Sequence, residues 1–369
     1  MGLSCINRPH ERDRGILNSD DRLEVHLQSE HEGKTMKKVL FATTALVATA
    51  GVASADIALS GSAQMGIQGG SGNATVGENT TQFVQDIDVT FTMSGTADNG
   101  LTFGAAIDLD EDAGAVDTDD AGVAMFISGE LGTLTLGDTD GALDWAMQEV
   151  DYNGAAAINS DHTGHAGFSG NGGLDGTYDG QILRYDYSFG DFAVAVSVEA
   201  DDDINVATAN DGLTADPIWG LGAKYSGSFA GGTFGAGIGY QTVGDADANT
   251  VGNQGVNVTG LSLNVALDSG FSGAVNYSII NGTGTEALED GVHMGLGVSY
   301  SFDAITLHAN YGHYNWDAAA TETDASGYGL SAAYDFGGGL SAHLGYGYSN
   351  PEGPSNNSST WSLGLNMSF

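Results

Sequence analysis

The sequence predicts an all-β fold, a transmembrane antiparallel up-and-down β-barrel of about 16 strands. Three observations predict it. Short segments alternate apolar and polar residues, their connections are alternately short and long, and no stretch after Ala55 is apolar enough for a membrane helix.

The first 55 residues are not expected to belong to the barrel. Residues 36–55 begin with Met36, Lys37 and Lys38, continue with an apolar run over 39–52, and end in Ala53-Ser54-Ala55. A positive start, a short apolar core and small residues at a cleavage site are typical of a secretory signal peptide. We therefore expect the mature chain to begin at Asp56.

Residues 1–35 precede this signal and have mixed charges without apolar periodicity. They hold the chain's single cysteine, Cys5. We interpret them as an extension from a start codon placed too early, since Glu32-Gly33 can be encoded by a purine-rich stretch resembling a ribosome-binding site.

Residues 56–369 are strongly acidic. The whole chain has 48 acidic and nine basic residues, a formal net charge of −39. Residues 1–55 hold seven of each, which leaves 41 acidic residues against Arg184 and Lys224. Such a surface repels nucleic acid and attracts cations. Without cysteine after residue 55, a disulfide-stapled fold is excluded.

Alternation of period two is clearest at residues 361–369, where Trp361, Leu363 and Leu365 alternate with Ser362 and Gly364. Many segments have about the 9–11 residues that a tilted strand needs to cross a bilayer. The predicted strands lie near 56–68, 82–94, 100–110, 121–129, 133–138, 181–189, 191–200, 216–228, 232–243, 256–268, 270–281, 292–302, 304–316, 327–337, 339–349 and 361–369.

A soluble acidic β-sandwich or β-solenoid is the structural alternative, because any half-buried sheet alternates in this way. Aromatic residues near strand ends on the apolar face favour the barrel, as does a polar opposite face of Gly, Ser, Thr and Asn.

Several stretches in order resemble the alphaproteobacterial, Rhodobacter-type general porins of the outer membrane, over nearly all of residues 56–369. The stretches that carry the resemblance are Met36–Ile67, Phe91–Gly95, Gly100–Gly104, Leu131–Asp138, Leu183–Ser188 and Phe369.

The resemblance implies a homotrimer of 16-stranded barrels in the lipid and lipopolysaccharide of the outer membrane, reached through the periplasm. It implies passive diffusion of small hydrophilic solutes and ions, and recognition of Phe369 by the barrel-assembly machinery. It also implies that the third long loop, here residues 139–180 (the long loop), folds into the lumen and narrows it.

Strand phase predicts which side chains face the lumen. Leu183, Tyr185 and Tyr187 are expected to face lipid, which turns Arg184 and Asp186 inward. The same rule places Asp86, Asp88, Asp108, Glu199 and Lys224 inside.

Selectivity follows from these charges. The resemblance implies that acids of the long loop face a basic cluster on the opposite wall, yet acids stand at Asp86 and Asp88 where the family typically has basic residues. We therefore predict a cation-selective pore. Arg184 is expected either to face the loop or to pair with Asp186 or another carboxylate, and Lys224 to be a plain wall residue. The candidate loop acids are Asp140, Asp144, Glu149, Asp151 and Asp161, with Asp175 and Asp179 beyond them.

Crowded carboxylates favour uptake of protons or divalent cations. Calcium is the candidate ion, at Glu149 and Asp151, although no EF-hand spacing is present and no cofactor is required. His162 and His165 have a spacing that could share a metal such as zinc on a helix, whereas on a Gly-rich loop their geometry is unspecified.

The leading function is a general diffusion porin, with a solute-specific channel as the nearest alternative. An outer-membrane barrel enzyme is not expected, because about 16 strands exceed such barrels and no convincing triad is present. A non-conducting surface or structural barrel is the remaining alternative.

Overall fold

A computed structural model describes residues 56–72, 81–110, 122–150, 164–167, 172–176, 181–200, 217–244, 255–283, 290–316, 324–351 and 357–369. The predicted extension and signal peptide lie outside these residues. The strands are β1 Asp56–Gly72, β2 Gln82–Thr96, β3 Thr102–Asp110, β4 Ala124–Gly129, β5 Gly132–Gly137, β6 Ile182–Phe189, β7 Phe192–Glu199, β8 Ile218–Phe229, β9 Gly232–Val243, β10 Gly255–Leu267, β11 Phe271–Thr283, β12 Gly291–Phe302, β13 Ile305–Trp316, β14 Ala325–Gly337, β15 Leu340–Pro351 and β16 Ser358–Ser368. One short helix, α1, spans Ala142–Ala146.

The strands form one closed antiparallel barrel in which each strand pairs with its neighbours in sequence. Closure is made by β1, which pairs with β2 on one side and β16 on the other. At the seam, Phe369 N donates to the Gly61 carbonyl oxygen over 2.9 Å. The prediction of an up-and-down barrel of about 16 strands is confirmed. Within the described ranges, no helix has the length and apolar character needed to span a bilayer.

The two faces of the wall differ in polarity: large apolar side chains cover the outer face, and the inner face carries polar residues such as Ser262. On β10, Leu261, Leu263 and Val265 are 37–50% exposed, whereas Ser262 between them is 1% exposed. This exposure of large apolar side chains on one phase is what a lipid-facing surface requires. Aromatic rings gather on the outer face near one end, in contacts that join Tyr187, Phe189, Phe192, Tyr225 and Phe234.

The two ends of the barrel differ in their connections. At one end, tight turns join successive strands, such as Gly190-Asp191 between β6 and β7 and Asp303-Ala304 between β12 and β13. Longer connections join the strands at the other end, and the longest of them is the long loop between β5 and β6.

We predict that a cation is tolerated on only one face of β14. Leu330 is 50% exposed on the outer face, and Ser331 is turned inward. Leu330→Arg should destabilise the barrel in lipid vesicles by about 2–4 kcal/mol if the site lies at the bilayer midplane, whereas Ser331→Arg should fold nearly normally. Urea unfolding in vesicles measures both, and equal losses would contradict the assigned faces.

Candidate functional site

The described parts of the long loop contact the inner face of the wall. Helix α1 contacts β7, β8 and β9. A Cβ on Gly220 would lie 3.3 Å from the Ala142 Cβ, and a Cβ on Gly239 would lie 2.7 Å from the Leu143 Cα. These glycines alternate with outward side chains such as Trp219 and Tyr240, so the helix rests on the lumen side.

Glycine is needed where the loop backbone touches the wall. At three positions facing residues 142–150 of the loop, a Cβ would overlap a loop carbonyl oxygen, a backbone atom that no side-chain rotation can move away. These contacts pair Gly222 with Ala142, Gly237 with Ala146, and Gly297 with Val150. We call these three wall residues the glycine track.

Wall side chains accept hydrogen bonds from the loop backbone. Ala142 N donates to Ser197 Oγ over 2.8 Å, and Gln148 N donates to Ser262 Oγ over 2.8 Å. Buried backbone donors need such partners, because an unmade hydrogen bond costs about 1–3 kcal/mol. The inner wall therefore replaces the partners that a regular element would provide.

An apolar layer fills the space between the loop and part of the wall. Leu143, Met147 and Leu174 of the loop are 0%, 4% and 6% exposed. They pack against inward side chains of β8, β10 and β11, which are Ile218, Val256, Val258 and Ile280, with Tyr314 and Trp316 of β13 at the margin. Each such burial contributes about 1.5–3 kcal/mol, compared with about 0.5–1.5 kcal/mol for a typical hydrogen bond, so apolar packing is a substantial part of the loop attachment.

Residues 164–167 attach the loop to the wall at a second place. His165 Nε2 lies 2.7 Å from Asn310 Oδ1, and His293 Nε2 donates to the Gly167 carbonyl oxygen over 2.9 Å. Burial lowers the pKa of His165. His162, with which it could share a metal, lies outside the described residues. Among the residues that are described, no cluster of three metal-ligating side chains occurs.

Asp175 joins two parts of the loop to β9. Its Oδ2 accepts from Gly141 N over 2.7 Å, and its Oδ1 accepts from Gln241 Nε2. Burial raises its pKa to about 8, and the charges of Glu199 and Asp140 act in the same direction, whereas the two hydrogen bonds oppose the shift. This carboxyl therefore holds a proton well above the ordinary range of aspartate.

Both cations of residues 56–369 contact the start of the long loop. Arg184 Nη1 donates to the Asp140 carbonyl oxygen over 2.5 Å, and its Nε lies 3.4 Å from Asp186 Oδ1. The two roles expected as alternatives for Arg184 therefore occur together. Lys224 Nζ donates to the Trp145 carbonyl oxygen over 3.0 Å, so the expectation of a plain wall residue was wrong. A loop residue lies within its reach, which strand phase alone does not reveal.

Three acidic residues lie on the inward phase of β2 and β3, strands that α1 does not contact. Asp88 is 5% exposed and accepts from Ser62 Oγ over 2.6 Å. Asp108 accepts from Thr90 Oγ1 over 3.1 Å. Asp86 is partly exposed in the first third of β2. In the strand order, β2 lies half a circumference from β10, which the long loop contacts.

Of the predicted acidic residues of the long loop, some lie within the described residues and others lie outside them. Asp140 and Glu149 are partly exposed in the loop, and Asp144 is 6% exposed in α1. Asp151 and Asp161 lie outside the described residues. The pair Glu149 and Asp151 is therefore untested as a calcium site and stays a prediction.

Sequence reasoning missed the residues that seat the loop: Trp145 as a partner of both cations, Gln241, Ser197, His293 as a loop anchor, and the glycine track. One indication was present in the sequence. Ile218, Val256, Val258 and Ile280 occupy the inward phase, where a wholly water-filled lumen would favour polar side chains.

The sequence is similar to a known protein family and to one of its members. The model of a family described as Gram-negative porin matches residues 42–354. A porin of Rhodobacter capsulatus is 27% identical over 308 residues, which cover 78% of this chain and 92% of the relative.

Solved structures share the fold. A porin structure refined at 1.8 Å resolution has a TM-score of 0.63 at 24% identity, covering 85% of this chain and 100% of that chain. A loop-deletion variant of OmpT, an outer membrane protein of Vibrio cholerae, has a TM-score of 0.60 at 15% identity over 85% and 99%. A variant of the Rhodopseudomonas blastica porin has a TM-score of 0.55 at 18% identity over 85% and 100%.

We predict that Gly237→Ala displaces the long loop, because the new methyl group would overlap the Ala146 carbonyl oxygen. Overpacking of this kind costs about 1–3 kcal/mol. Single-channel recording should show altered conductance and added current noise. Gly273→Ala on the outer face is the control, since its Cβ would lie 3.4 Å from the nearest backbone oxygen. Matching traces from the two variants would contradict the close approach.

We also predict that the loop attachment weakens as pH rises toward 8. The pKa of Asp175 is raised from 3.8 to about 8, so the attached state keeps a proton that a detached, solvated carboxyl releases. The contact is therefore most stable below about pH 4 and loses stability as pH rises through the window up to about 8.

Current noise recorded between about pH 5 and 9 should rise with pH in the natural chain and stay level in Asp175→Asn. Asp191→Asn, in a short turn, is the matched control and should behave like the natural chain. A flat profile in the natural chain would refute the coupling.

Proposed function

The chain belongs to the Gram-negative porin family and forms an outer-membrane channel, and we propose that small hydrophilic solutes and ions diffuse passively through it, with cations preferred. One observation carries this preference. Arg184 and Lys224 both contact the loop, whereas the opposite wall carries acidic side chains.

The distribution of charge supports cation preference. Arg184 and Lys224 donate to carbonyl oxygens at the start of the loop, so both positive charges lie beside electronegative oxygens of the loop. Asp86, Asp88 and Asp108 lie on β2 and β3, and the whole of residues 56–369 has 41 acidic side chains. A lumen lined by one sign of charge raises the local concentration of the opposite ion.

The conducting space is bordered by the loop. The apolar layer and the glycine track occupy the lumen side of β8–β12, and residues 164–167 contact β12–β15. We infer that water and ions pass between the loop and the wall made by β16 and β1–β4, which makes the loop edge the constriction.

We predict that reversing Asp86 lowers the cation preference. Two unit charges about 4 Å apart interact by about 1 kcal/mol in water, which corresponds to about a fivefold change in local ion concentration. Asp86→Arg should therefore shift the reversal potential across a salt gradient toward the anion side, and Asp88→Arg should shift it less because Asp88 is more buried.

Asp98→Arg is the charge-matched control, since Asp98 is exposed in the turn between β2 and β3. Anion preference in the natural chain would overturn the proposal. Conductance that saturates with one solute would instead favour a solute-specific channel, and a protein that never conducts would favour a structural barrel.

Assembly and bound ions complete the proposal. We propose a homotrimer in lipid and lipopolysaccharide, exported through the periplasm, with Phe369 read by the barrel-assembly machinery. Calcium at Glu149 and Asp151 is proposed as an optional ligand. Cross-linking in membranes tests the trimer, and conductance with and without a calcium chelator tests the ion.

A further inference from the structure

We propose that Trp145 positions the long loop by lying between Arg184 and Lys224, so that the chain's two barrel cations act as loop anchors instead of as an anion-attracting wall. The inference deepens the proposed function and rests on it, because it says how the loop that borders the channel is held.

The contact with Lys224 uses two features of one residue. Lys224 Nζ lies 3.7 Å from the centroid of the Trp145 ring and donates to the Trp145 carbonyl oxygen over 3.0 Å. An ammonium over an indole face is the strongest pairing of its type among aromatic residues. Lys224 therefore holds both the side chain and the backbone of Trp145.

Arg184 holds the residues just before the helix. Its Nη1 donates to the Asp140 carbonyl oxygen over 2.5 Å and to Thr139 Oγ1 over 3.2 Å. Its Cζ lies 5.8 Å from the Trp145 ring centroid. The guanidinium side chain is 11% exposed, and Asp186 orients its Nε at 3.4 Å.

The wall places these groups together. Arg184 is on β6, Lys224 is on β8, and α1 crosses the strand between them, where Ala142 N donates to Ser197 Oγ of β7. Gly222, two residues before Lys224, lets the helix approach closely enough for the ring to meet the ammonium. Three adjacent strands therefore form one seat for the start of the loop.

The two possible roles of these cations make different demands. A cation that acts only through its field can be replaced by any cation and needs no aromatic partner. A cation that anchors the loop depends on Trp145, which is uncharged. Trp145→Leu therefore separates the roles, because it keeps every formal charge and removes the ring.

Single-channel recording of the natural chain, Trp145→Leu, Lys224→Met and the double variant tests the proposal. A contact of this class shifts a two-state population by about two- to fivefold. We expect Trp145→Leu and Lys224→Met each to increase the time in altered conductance states by about that factor. We expect the double variant to resemble either single one, and Lys224→Arg to stay quiet.

A disulfide provides the second readout. A Cβ on Gly220 would lie 3.3 Å from the Ala142 Cβ, slightly below the usual separation of about 3.5–4.5 Å in disulfides, and residues 56–369 contain no cysteine. The added Cβ would also overlap Ser197 Oγ, so the cysteine pair is introduced together with Ser197→Ala. Ala142→Cys with Gly220→Cys, added to Trp145→Leu, should restore quiet current when oxidised and lose it when reduced. Folding of each variant is checked by its heat-dependent migration in detergent gels.

The outcomes separate this proposal from the proposed function. Quiet current in Trp145→Leu, or noise that the disulfide leaves unchanged, would overturn the positioning role while leaving cation preference intact. Noise that the disulfide suppresses supports the positioning role, and the reversal potential of the natural chain then decides selectivity independently.

Discussion

Every backbone amide and carbonyl that crosses a bilayer must find a partner within the protein, and the pairing of β1 with β16 meets that requirement by removing the free edges of the sheet. The features of the wall follow from this closure. Alternate residues face lipid and lumen, which puts Leu261 and Leu263 outside and Ser262 inside. A closed wall also creates an interior surface on which irregular backbone can be buried in protein.

The long loop meets the same requirement by other means. Its described residues have little regular structure, and wall side chains such as Ser197 and Ser262 accept from its backbone. Apolar packing of Leu143 and Met147 adds to the attachment. Part of the lumen is therefore a protein core, and the water-filled channel is what the loop leaves open. Charge and shape of that channel both depend on how the loop is seated.

The wall was predictable from the sequence because its periodicity is local. The alternation of neighbouring residues was enough to place Arg184 on the inner face. The predicted strand limits agree closely with those of the structure. The seating of the loop was less accessible, because Lys224 and Trp145 are far apart in sequence and meet only after three strands pair. Gly222 and Gly237 are two of 58 glycines, and alternation marks both as strand residues without showing that a loop carbonyl oxygen lies against them. The sequence indicated that Val256 and Val258 are apolar residues on the inward phase, but only the structure shows which side chains pack against them.

The surface that receives the long loop spans strands from β6 to β15, although the loop itself lies between β5 and β6 in the chain. Those strands are later in sequence, and their inner faces become one continuous surface only when the sheet has formed. The contacts of the loop with these strands can therefore be completed only after the strands have paired. A barrel that closes with its loop unseated would be a wider and less discriminating hole. The width of the opening would thus depend on how the loop is seated as well as on the closure of the wall.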